Sequence, residues 1–260
     1  MVTAHHEETG PGLRIWKVAV ALSVYLLAFG GFACFAAAHC NPHGLMATLT
    51  FVECAVLAIV VALFAVDQDP HEVGVLRFVL RLAAICGLTL AVSAAVLGLA
   101  AAVWGATPLA GGLVAQVVIL SFCLLLVSVF ALVRCSGSEL LLAQLVCILV
   151  ACGLMGTVFY ADPVVEAQKS PEARGMMIAA VLSSNPLTAI SWSLLEFDLL
   201  RRQIMYDRIS VIGRFYRTPY PQWWRILCGY VAVSAVMLTG AGLLRRHRVL
   251  KLSRRGEENQ

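Results

Sequence analysis

The apolar positions of this chain gather into long, nearly continuous runs, not into the alternating or one-face stripes of a strand or a surface helix. Such runs occupy roughly 16–38, 45–66, 82–104, 110–133, 139–160 and 223–244. Each is close to the ~20 residues a helix needs to cross the hydrocarbon layer of a bilayer. A further apolar stretch, from Met176 to Leu200, is interrupted at its centre by Ser183-Ser184-Asn185-Pro186. Proline removes a backbone donor and pushes the residue before it out of the helical region. Broken backbone at membrane depth persists only where protein or a watery cavity covers its freed polar groups. The pattern therefore predicts an all-α integral membrane protein with six transmembrane helices. Between spans five and six it places a broken re-entrant or interfacial helical hairpin, within an outer-side region covering 161–222.

The polar links sharpen that picture. Residues 1–14 form a polar tail, broken at Gly10-Pro11-Gly12, and Arg14, Trp16 and Lys17 anchor span one at an interface. Asn41-Pro42-His43-Gly44 and Gly105-Ala106-Thr107-Pro108 turn without a cation. Arg77 and Arg81 follow the 67–74 link, Arg134 follows span four, and Arg245, Arg246, Arg248, Lys251, Arg254 and Arg255 crowd the tail at 245–260. Lys and Arg near span ends favour the cytoplasmic side. With six spans, all these cations share one side and both termini are cytoplasmic; a seventh span through 176–199 would put the tail outside. The run from Val18 to Ala38 exceeds the ~7–15-residue core of a secretion signal, so it reads as a retained span. Arginines 201, 202, 208, 214, 217 and 225 alternate with Tyr206, Tyr216, Tyr220, Trp223 and Trp224, a mixture suited to a headgroup surface.

Composition agrees: of 260 residues, 60% are apolar and 13% charged, against about 45–50% and about 25% in soluble domains. Nine cysteines, at 34, 40, 54, 86, 123, 135, 147, 152 and 228, include no Cys-x-x-Cys pair. Inside apolar runs they read as small buried side chains.

Few residues offer chemistry. Glu53 is the one acid well inside an early span, and a carboxylate at mid-bilayer costs roughly 2.5–3.5 kcal/mol on insertion scales. It reads as a proton or cation site, as a protonated acid bonded to a neighbouring helix, or, eight residues past Leu45, as an acid close enough to the outer interface to stay wet. His39, Cys40 and His43 crowd one turn without a fourth ligand, so no metal site is expected. Asp67-Gln68-Asp69 has the spacing of a metal–nucleotide motif but no soluble nucleotide domain around it. Neither a nucleophile elbow nor a phosphate-binding loop occurs, so the chain itself carries no ATPase or hydrolase motif. Glu196, Asp198, Arg201 and Arg202 fall on and around one helical turn, and Asp198 pairs with either arginine at helical spacing. That group reads as a gate at the outer mouth or as a neutralised interfacial helix.

From residue 184 onward the chain resembles the end of permease subunits of ABC transporters of the type-2 exporter class. The matching residues are Ser184-Asn185-Pro186-Leu187-Thr188-Ala189, then Phe197-Asp198-Leu199-Leu200-Arg201, Tyr206, and Tyr220-Pro221-Gln222-Trp223-Trp224 before a last span and an arginine-rich tail. His71-Glu72-Val73-Gly74-Val75-Leu76 is similar to that family's cytoplasmic segment that contacts the ATPase, with His and Val standing where the family has Arg and Thr. The resemblance implies a membrane-spanning exporter subunit in a prokaryotic cytoplasmic membrane. Its partners would be a separate ATP-binding subunit that holds ATP and Mg, a second permease chain, and lipids; nucleic acid is not among them. This chain would hold no cofactor. The resemblance assigns ATPase coupling to His71, Glu72 and Gly74, and a gate to Asn185, Pro186, Glu196, Asp198, Arg201 and Arg202. Two other classes fit the same composition: a non-catalytic anchor of a larger complex, or an integral-membrane enzyme acting on a lipid.

Overall fold

In lipid a spanning segment must satisfy its backbone N–H and C=O groups internally, which long runs of Leu, Val and Ala achieve as helix. The computed structural model describes residues 11–64, 70, 74–196 and 221–258, and helix is the only regular structure among them. The helices are α1 (Pro11–His39), α2 (Pro42–Phe64), α3 (Val75–Trp104), α4 (Leu109–Cys135) and α5 (Leu140–Met155). The short α6 (Thr157–Tyr160) and α7 (Asp162–Glu166) follow, then α8 (Pro171–Ser184), α9 (Pro186–Leu195) and α10 (Trp223–Glu258). Four of them, α1, α3, α4 and α10, are long and apolar enough to cross a bilayer; the apolar stretches of α2 and α5, Gly44–Ile59 and Leu140–Met155, are shorter. Leu27, Leu80, Leu141, Leu149 and Val236 point outward on these helices. A soluble domain rarely exposes so much contiguous apolar surface. The described residues form an all-helical membrane protein.

Two sets of contacts define the ends of the bundle. The Thr107 amide donates to the Pro42 carbonyl, joining the α1–α2 and α3–α4 turns at one end. At the other, Arg248 donates to the Ser136 carbonyl in the α4–α5 turn, and the Arg245 guanidinium lies against Gly74 at the start of α3. We call these the turn end and the arginine end. The 30 residues of α3 separate them, about 45 Å at 1.5 Å per residue.

α4 is the most buried of the long helices and α1 the least. α10, α3, α5, α2 and α9 all pack on α4, and Phe122, Phe130, Ile119 and Leu126 fill its surroundings. Two glycines permit the closest approaches. A Cβ on Gly111 would collide with the Leu194 carbonyl of α9, and one on Gly112 would come 2.7 Å from the Met46 sulfur of α2. Small residues at such crossings are how helices associate where lipid removes the hydrophobic drive.

Several boundaries differ from the sequence reading. α1 begins at Pro11, inside the expected polar tail, because proline suits the first helical position. The fifth apolar run stops at Met155, not near 160: Gly156 follows, and the Met155 carbonyl accepts from the Asn185 side chain. The 161–175 link folds into α7 and the first turn of α8. α10 continues through the basic tail, whose Leu, Arg, Lys and Glu are strong helix formers.

Candidate functional site

Glu53 lies on α2 with no exposed surface. The Gln116 amide of α4 donates from Nε2 to its Oε2 at 2.8 Å. Ser93 of α3 lies beside the carboxyl, and the Ser93 hydroxyl is 2.7 Å from the Tyr25 hydroxyl of α1. Four helices thus contribute one polar group each to a single buried cluster. Cys54, Cys86 and Cys123 border it; the Cys86 and Cys123 thiols face each other across α3 and α4. All nine cysteines are unpaired as disulfides. Two buried acceptor atoms of the cluster, Glu53 Oε1 and Gln116 Oε1, have no hydrogen-bond partner. The wet, interfacial position that Glu53's place in the sequence also allowed is not what the structure has.

The break at Asn185 is the second site. Its backbone is extended, α8 ends before it, and Pro186 opens α9. The side chain satisfies both sides of the interruption. Oδ1 accepts from the Leu187 amide at 2.8 Å, and Nδ2 donates to the Met155 carbonyl at 2.8 Å and to the Thr157 hydroxyl at 3.2 Å. Thr188 donates to the Leu182 and Asn185 carbonyls, and Tyr230 of α10 donates to the Ser184 carbonyl at 2.9 Å. The Leu182, Ser184 and Asn185 carbonyls and the Leu187 amide at the break each have a protein partner, and Asn185 itself is 1% exposed. The break lies toward the turn end: it bonds the last residue of α5, whose start adjoins the 134–138 turn, and Tyr230 about two turns into α10. Glu196 ends α9 in the left-handed region at φ 51°, exposed, its amide bonded to Ser191.

The arginine end is the third. Gly74 precedes α3 at φ 91°, a conformation costly for any other residue. Val75, Leu76, Gly242, Arg245, Arg246, Val249 and Leu250 line a groove of about 460 Å³ between α3 and α10. Arg134 closes the neighbouring turn by donating to the Ser138 carbonyl at 2.6 Å.

Of the residues singled out from sequence, Glu53, Gly74, Asn185, Pro186 and Glu196 are described; His71, Glu72, Asp198, Arg201 and Arg202 lie outside the described residues. The structure does not bring the described ones together: Glu53 is interior, Asn185 and Glu196 belong to the turn-end half, and Gly74 to the arginine end. Among the described residues no group of His, Cys, Asp and Glu could hold a metal ion. Gln116, Ser93, Tyr25 and Tyr230 escaped the sequence reading. A depth count could have found the first three, because with Glu53 they lie roughly two to four helical turns from the turn end of their respective helices. No protein-family model matches the chain, and neither a curated protein nor a solved structure does.

Proposed function

We propose that this chain is the membrane-spanning subunit of an ATP-driven exporter of the ABC type-2 class. In this reading it crosses the cytoplasmic membrane of a prokaryotic cell six times, through α1–α5 and α10. α8 and α9 form a re-entrant hairpin on the outer side, and both termini face the cytoplasm. A separate subunit binds ATP and Mg, and a second permease chain completes the pathway.

The single observation that carries the reading is where the interruption lies. A satisfied helix break stands between the fifth and last apolar helices, toward the end of the bundle away from the basic extension of α10. The contacts also suggest how force would travel. An ATPase pressing on the 67–74 link acts first on the Gly74 joint, which touches Arg245 of α10. α10 then runs the length of α4 and bonds the break through Tyr230. Movement of this one rigid helix would reach the outer hairpin, an interconversion between two packed arrangements and not a continuous deformation.

The test is purification of the tagged full chain from its native membranes after mild cross-linking, with ATP hydrolysis assayed in lipid vesicles. A co-purifying ATPase whose hydrolysis is coupled to vesicle transport, with Gly74→Pro separating hydrolysis from transport, is the expected result. A chain recovered without an ATP-hydrolysing partner contradicts the reading.

A further inference from the structure

We propose that Glu53 and Gln116 together bind one exchangeable proton, held as a carboxylic acid–carboxamide pair between α2 and α4. The two groups already share one hydrogen bond, from Gln116 Nε2 to Glu53 Oε2 at 2.8 Å. Each is then left with one oxygen, and both of those oxygens are buried acceptors without a donor. An unsatisfied buried acceptor is costly, and two in adjacent side chains more so. A carboxylate cannot cure this, since it only accepts; a carboxylic acid carries one O–H donor. A proton on Glu53 Oε1, donated toward Gln116 Oε1, satisfies both orphan atoms at once and closes the pair into a ring of two hydrogen bonds.

The surroundings suit a proton better than a divalent cation. The groups facing the carboxyl are Tyr25 from α1, Cys54 from α2 itself, Ser93 from α3, and Gln116 and Cys123 from α4. Tyr230 of α10 approaches the cluster only through Cys54. None is cationic, so no side chain in the cluster supplies the missing positive charge. A hard divalent ion asks for about six oxygens, more than the cluster's side chains offer. Binding forms one O–H bond with a proton drawn from water, and release returns the carboxylate. The released form leaves both buried acceptor oxygens without a donor at the α2–α4 contact, where Gly112 already holds the helices close. The loading state of Glu53 is therefore felt as packing of α2 on α4. This site stands whether or not an ATPase partner is recovered.

Infrared spectroscopy of the purified full chain in lipid vesicles at neutral pH tests it. The wild type should show a carboxylic-acid carbonyl band that shifts in heavy water and is lost in Glu53→Gln. In Gln116→Leu, which keeps the acid but removes its amide partner, the band should move to higher frequency. That displacement assigns the band by itself if Glu53→Gln does not fold. A wild-type spectrum with carboxylate bands only, or an acid band unmoved in Gln116→Leu, overturns the proposal.

Discussion

At the scale of single residues, Asn185 does the most with the least. One side chain caps α9 and ties it to the end of α5. Asn185→Ala should lose about 1 kcal/mol for the cap and a further ~0.5–1.5 kcal/mol for the bond to the half-buried Met155 carbonyl. Asn185→Ser should recover the cap share alone, because its short hydroxyl can cap α9 but carries no amide to reach Met155. Thermal unfolding of the purified variants in detergent would order them wild type, Ser, Ala; equal stability of Ser and wild type would show the Met155 bond to be idle. Tyr230→Phe removes the hydroxyl that reaches the Ser184 carbonyl and should cost about 0.5–1.5 kcal/mol in the same assay, with no change in helix content. The proline announced the break in the sequence. What satisfies it was not legible, because Met155 and Tyr230 are distant along the chain and meet Asn185 and Ser184 only through packing.

At the scale of helices, apolar run length located the spanning helices well and their ends poorly. α1, α3, α4 and α10 lie where long runs of Leu, Val and Ala required them. The end of α5 and the helical tail of α10 were set by other terms. A tertiary hydrogen bond stops the first, and helix propensity carries the second past the membrane-length run. The same limit hid the Glu53 cluster: periodicity reports which face of a helix is apolar, and in these runs every face is. The crossing of α9 over α4 rests on Gly111. Gly111→Leu places side-chain atoms where the Leu194 carbonyl now lies, so it should displace α9 while leaving the spanning helices formed. Limited proteolysis within 185–196, faster in the variant at unchanged far-ultraviolet circular dichroism, is the expected outcome. Gly74→Ala acts at the opposite end. Its backbone at φ 91°, ψ 139° should cost roughly 1–3 kcal/mol, and in the exporter reading it should reduce transport more than partner binding. Equal losses in both would argue against Gly74 as a joint.

For the whole molecule, the contacts sort the described turns into two groups, and the cations gather with one of them. The cation-free turns near 41 and 107 are joined at one end, while Gly74, the 134–138 turn and the arginines of α10 meet at the other. Packing groups the turns, and the positive-inside rule says which group faces the cytoplasm, so a sidedness measurement tests the account most directly. Single cysteines at the exposed positions Asn41, Glu139, Glu172 and His247, in a background without the native nine, would be probed in intact cells with a membrane-impermeant thiol reagent. The account requires Asn41→Cys and Glu172→Cys to be labelled from outside, and Glu139→Cys and His247→Cys only after the membrane is permeabilised. Labelling of His247→Cys from outside, on the same side as Asn41→Cys, would contradict it.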